Sequence, residues 1–191
     1  MVERLVILFG FSCMPLLCSA SDLVDLSVIT TKGYVTYTVG GDWKVLSTQT
    51  KAPKTAAVFQ IKNPADEGTQ DSTNFCILTF ETNSADATET FQKMRAKLRV
   101  DTPSPRKHGA WQVFSHDAMQ GKTLYHVRDA ARDVPGAHVL LILAWPQLSR
   151  NPPRYDGEME TTFLRLLDSV KGGLGPKPRT GGEVVRHPLD Q

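Results

Sequence analysis

The run from Ala137 to Trp145, Ala-His-Val-Leu-Leu-Ile-Leu-Ala-Trp, constrains the fold more than any other stretch of this chain. Apolar residues follow one another without alternation, the pattern of a central strand that needs cover on both faces. Val134-Pro135-Gly136 before it reads as a turn, and Pro146 opens a loop after it. The remaining elements must therefore supply two covering layers.

Most of them read as strands. Residues 21–32 show no clear period and fit a lead-in strand or a loose arm. Tyr34 to Val39 is rich in aromatic and β-branched residues and stops at Gly40-Gly41-Asp42. Trp43 to Thr48 and Ala56 to Lys62 predict two more strands, the latter ending at Asn63-Pro64. A polar, acidic loop over 63–73 leads to a strand from Asn74 to Glu81. Trp111 to His116 and Lys122 to Asp129 predict a hairpin around Met119-Gln120-Gly121. Alternation then groups Phe114 and His116 with Thr123, Tyr125 and Val127, and Trp111 and Val113 with Leu124, His126 and Arg128.

Two stretches carry a helical period. Ser84 is a good cap, and Ala87, Phe91, Met94 and Leu98 share one face before Thr102-Pro103-Ser104-Pro105 ends the turn pattern. Asp156 to Lys171 carries the stripe Met159, Phe163, Leu166 and Val170 and stops at Gly172-Gly173. The expected fold is α+β, an antiparallel sheet of about six to seven strands with two packed helices.

Residues 1–20 read as an export signal. Glu3 and Arg4 precede the apolar run Leu5 to Leu17, and Cys18-Ser19-Ala20 offers small residues for cleavage near Ala20. The apolar run is shorter than the roughly twenty residues of a membrane span. Residues 21–171 are expected as a single domain and 172–191 as a flexible Gly/Pro-rich tail. Cleavage removes Cys13 and Cys18 and leaves Cys76 alone in an apolar strand. The mature fold then has no internal disulfide and rests on its core, with Cys76 read as a buried thiol. Such a chain suits the periplasm. A formal net charge of +2, without a basic run interleaved with aromatics, gives no nucleic-acid signature.

The strand Gly33–Val39, its turn, and a Trp opening the next strand at Gly41-Asp42-Trp43 resemble the Mog1/PsbP-like superfamily. That group includes the exported DcrB-like proteins and adaptor chaperones of type VI secretion. Phe91, Trp111, Gly121-Lys122 and Phe163 extend the resemblance, which spans residues 28–171. It implies a non-catalytic domain that binds other proteins.

The residues themselves point to no reaction. There is no nucleophile elbow, phosphate loop or dinucleotide fingerprint. His108, His116, His126, His138 and His187 are dispersed, and the predicted hairpin puts His116 and His126 on opposite faces. Asp66, Glu67 and Asp71 lack the order of a calcium loop. No catalytic, cofactor or metal residues are therefore assigned. The loop from Trp145 to Tyr155, stiffened by three prolines, is the candidate interface, with Trp145, Arg150, Arg154 and Tyr155 as its anchors. The favoured reading is a periplasmic module that binds another protein, in its sharpest form an immunity protein masking an envelope-directed toxin. The alternatives are an envelope adaptor or stress protein of DcrB-like type, and a small-ligand carrier or enzyme whose site converges from residues such as His126, Arg128 and Tyr125.

Overall fold

The structure, a computed structural model, describes residues 22–51, 54–63, 74–81, 106–149 and 151–177. The expected signal, the acidic loop beyond Asn63, the helix expected over 84–99, Arg150 and the tail beyond Lys177 lie outside the described residues. So does the side chain of Cys76.

Two antiparallel sheets form the fold. The strands are β1 (Leu23–Ile29), β2 (Gly33–Gly40), β3 (Lys44–Lys51), β4 (Lys54–Ile61), β5 (Asn74–Glu81), β6 (Arg106–His108), β7 (Trp111–Gln120), β8 (Thr123–Val134), β9 (Ala137–Pro146) and β10 (Lys171–Leu174). One helix, α1, runs from Tyr155 to Ser169. The larger sheet has the order β3-β4-β5-β9-β8-β7-β6, and the smaller has the order β1-β2-β10.

This corrects the expected architecture. The α+β fold with one sheet and two packed helices is overturned by two sheets and a single helix among the described residues. Two local readings account for the second sheet. Residues 21–32 lacked a period because β1 is an edge strand, half exposed on both faces. Gly172 and Gly173 match the pattern of a helix stop and the start of a tail, yet they form β10 against β2. Their lack of side chains serves close packing. A Cβ on Gly172 would lie 2.4 Å from the Pro135 carbonyl oxygen, and one on Gly173 would lie 2.4 Å from the Tyr34 ring.

The apolar strand β9 sits between β5 and β8. Its odd-numbered residues Val139, Leu141, Leu143 and Trp145 join the main core, while Leu140 and Ala144 enter two smaller clusters. The main core is closed by Val35, Tyr37 and Val39 of β2 and by Tyr155, Met159, Phe163, Leu166 and Leu167 of α1. The stripe of α1 faces the sheet because these positions recur at helical spacing.

Two tryptophans fix the helix at both ends. The Trp145 indole N–H donates to Asp156 Oδ1 at 2.8 Å, and the Trp111 indole N–H donates to the Leu167 carbonyl at 3.1 Å. The Leu167 carbonyl belongs to the last turn, where backbone acceptors lack helical partners. Ser169 Oγ then accepts from the Thr38 N–H at 3.0 Å and ties the helix end to β2.

The hairpin closes at Gly121-Lys122, with Gln120 opposite Thr123 and Gly121 at φ +61°. Its register pairs His116 with Val127 and Asp117 with His126, so the two histidines point to opposite faces.

Two glycines give opposite expectations. Gly172→Ala drives a methyl into the Pro135 carbonyl and should destabilise the fold by about 1–3 kcal/mol. Gly157→Ala, in open space within α1, should stabilise it by about 0.5–1 kcal/mol. Urea unfolding of both variants checks the pair of signs.

Candidate functional site

A depression lies where the first half of α1 crosses β7, β8 and β9. It is a cleft of about 590 Å³ lined by Arg106, Val113, Ser115, His126, Arg128, Trp145, Asp156, Gly157 and Glu160. The strand register builds one wall. Ser115 lies opposite Arg128, and His126 lies between Asp117 on β7 and Trp145 on β9. The helix supplies the other wall, because Asp156 and Glu160 are one turn apart.

The side chains in the cleft are tied together. Arg128 Nε donates to Glu160 Oε2 at 2.7 Å, and one of its terminal nitrogens donates to the Val127 carbonyl at 3.2 Å. The guanidinium lies over the Trp145 ring, 5.1 Å from its centroid. His126 tilts against the same indole at 5.8 Å, with its Nδ1 2.8 Å from Asp117 Oδ1 and its Nε2 3.9 Å from Asp156 Oδ2. Trp145 is the floor of this arrangement, with the Arg128 guanidinium and the His126 ring resting on it. Arg106, His126 and Arg128 thus line the sheet side of the cleft, and Asp156 and Glu160 line the helix side.

The loop anchors expected from sequence are dispersed. Trp145 and Tyr155 are 1% and 3% exposed, so both are core residues and neither projects from the loop. Their burial follows from the helix starting at Tyr155 and folding its first turn back over β9. The Arg154 side chain is 81% exposed and pairs with Glu158 at 3.0 Å. Arg150 lies outside the described residues. The dispersed-site alternative named His126, Arg128 and Tyr125. The first two meet in the cleft, whereas Tyr125 is buried on the opposite sheet face with Val127 and Ala144. Sequence reasoning missed Arg106, Ser115, Asp156 and Glu160. The two acids carry a legible signal, i and i+4 on a helix that must cover a strand bearing Arg128.

Among the described residues, no three His, Cys, Asp or Glu side chains cluster as a metal site requires. None of the described helices is long and apolar enough to cross a membrane.

A second titratable pair lies on the far side of the sheet. Asp129 is buried, and burial pushes its carboxyl up to about 7. His116 Nδ1 sits 3.3 Å from Asp129 Oδ2 without hydrogen-bond geometry. Burial lowers the His116 pKa, Asp117 opposes that shift and Arg128 reinforces it. The folded state therefore holds the Asp129 proton more tightly than the unfolded chain does. That contribution is whole below the ordinary value of 3.8 and is lost as pH rises toward 7. His116 acts in the opposite sense, costing stability as pH falls below 6.5. Asp129→Asn removes only the first effect. Relative to wild type it should gain of the order of 4 kcal/mol between pH 4 and pH 8. Urea unfolding at both pH values checks this, and a gap independent of pH would contradict it.

No family model matches the chain, and no characterised protein matches it by sequence. The Mog1/PsbP-like resemblance thus gains no family match. Among solved structures, the chain is loosely similar to LpqN, which is involved in cell envelope biogenesis of Mycobacterium tuberculosis. The two share 16% identity over 78% of this chain and 91% of LpqN, at a TM-score of 0.43. A likeness at that level assigns neither family nor function.

Proposed function

We propose that the chain is an exported, non-catalytic module that binds another protein through the cleft between α1 and β7–β9. The observation that carries this reading is the stack of Arg128 on Trp145, locked by Glu160. Arginine is enriched among the residues that carry most of the binding energy at protein interfaces, and the buried Trp145 ring holds Arg128 from beneath. Side chains already held in one geometry lose little entropy when a partner docks. Basic groups on one wall and acidic groups on the other suit an extended polypeptide segment carrying charges of both signs.

Residues 1–20 supply the address, a signal directing the chain to the periplasm. In its sharpest form the proposal is an immunity-type protein that masks a toxic enzyme delivered into the envelope. An envelope adaptor or stress role would use the same cleft. A small-ligand carrier has one observation in its favour, the convergence of His126 and Arg128 in a single cavity.

Capture from periplasmic extract tests the reading. Wild-type chain should recover a protein partner, and Arg128→Ala or Glu160→Ala should cut recovery tenfold or more. Both changes leave the opposite member of the pair partly exposed, so folding should survive, as unfolding midpoints will verify. Undiminished recovery by both variants removes the cleft from the proposal, and an empty capture removes the partner. Protection of cells against a toxin encoded beside this chain separates the immunity form from the adaptor form.

A further inference from the structure

The edges of the two sheets are not alike. Extended edges invite pairing with another chain, and proteins blunt them by shortness, bulges, prolines and lysines. β6 has three residues, and β10 has four, two of them glycine. β3 begins and ends in lysine and carries a register break between Val45 and Ser47. β1 has no proline, lysine or bulge, and its one charge, Asp25, accepts a hydrogen bond from the Thr38 hydroxyl of β2. Its seven residues, Leu-Val-Asp-Leu-Ser-Val-Ile, pair with β2 without interruption. On it, Leu23, Val24 and Ile29 are 52%, 38% and 61% exposed.

The backbone shows which groups face outward. The Asp22 carbonyl accepts from the Gly41 N–H, and the Thr30 N–H donates to the Gly33 carbonyl, both across the β1–β2 hairpin. Even-numbered residues of β1 therefore bond to β2. In an antiparallel pair the bonding side alternates, so Leu23, Asp25, Ser27 and Ile29 turn their N–H and C=O groups to the edge of β1 that pairs with no strand among the described residues. Their side chains lie on the face away from the core, while Leu26 and Val28 pack against it.

We propose that this edge binds a second copy of the same chain, β1 against β1 in antiparallel pairing about a twofold axis at Leu26. The strand is its own complement. Centred on Leu26, Leu23 faces the partner's Ile29, Val24 faces the partner's Val28, and Asp25 faces the partner's Ser27. Every outward backbone group then meets an outward group, and apolar side chains meet apolar ones. Charge selects this register. Moving the axis to Asp25 sets two carboxylates directly opposite, which is unfavourable. Moving it to Ser27 carries Leu23 beyond the end of the partner strand. The shared interface is isologous, as a closed dimer requires, and it joins the two small sheets into one.

Sedimentation of the purified full chain over a range of concentrations tests the proposal. Wild type should show a reversible dimer. Ser27→Pro removes one outward N–H and leaves the β1–β2 ladder intact, so it should abolish dimerisation while the protein stays folded by circular dichroism. Two charge variants report the register. Ser27→Asp opposes Asp25 of the partner and should weaken the dimer severalfold, and Ser27→Lys should tighten it severalfold. A chain that stays monomeric at 100-fold above typical assay concentration overturns the proposal. So does a dimer that ignores Ser27→Pro, or one that both charge variants shift in the same direction. Dimerisation that appears only after removal of residues 178–191 would assign the edge to that segment instead.

Discussion

The hydrogen bond from the Trp145 indole to Asp156 holds together the parts of the molecule that matter most. It closes the first turn of α1 over the end of β9, and the bond from Trp111 to the Leu167 carbonyl closes the last turn. A bond of this kind contributes about 1 kcal/mol. The larger effect is geometric. With both ends pinned, the stripe Met159, Phe163, Leu166 and Leu167 has one seat on the sheet, and the burial of those side chains supplies the bulk of the stability.

The cleft is a by-product of that clamp. Seating the helix on two tryptophans leaves Asp156 and Glu160 facing the strands that carry His126 and Arg128. Each of these two side chains then finds a carboxylate within reach and the Trp145 face beneath it. The opposite face of the same strands holds a different kind of pair, Asp129 and His116, where burial displaces both pKa values toward the neutral forms. Alternation of side chains along β7 and β8 thus puts a charge-paired cleft beside the main core on one face of the sheet and the buried Asp129 with His116 on the other.

Much of this was legible in the sequence. The period-two alternation of Trp111–His116 and Lys122–Asp129 assigned each residue to its face, and the continuous run Ala137–Trp145 marked the strand that has neighbours on both sides. The helical stripe from Met159 to Leu166 was also readable. Other features were not. β1 and β10 are held by backbone pairing with β2, and backbone groups leave no trace in a pattern of side chains. Glycines at 172 and 173 signal a helix stop in general, while here they admit close approach of β2 and the β8–β9 turn. Trp145 and Tyr155 looked like loop anchors because their position beside prolines is local information, and their burial is not.

What the sequence alone determined is periodic: which residues share a face of a strand or helix, and where turns interrupt them. These follow from local backbone geometry, which repeats every two or 3.6 residues. The tertiary structure decided everything that depends on distance along the chain. It set α1 across β7–β9, brought Glu160 to Arg128 over 32 residues of separation, and placed β10 beside β2. Those choices come from packing apolar faces against one another, and a face does not specify its partner until the whole core is assembled.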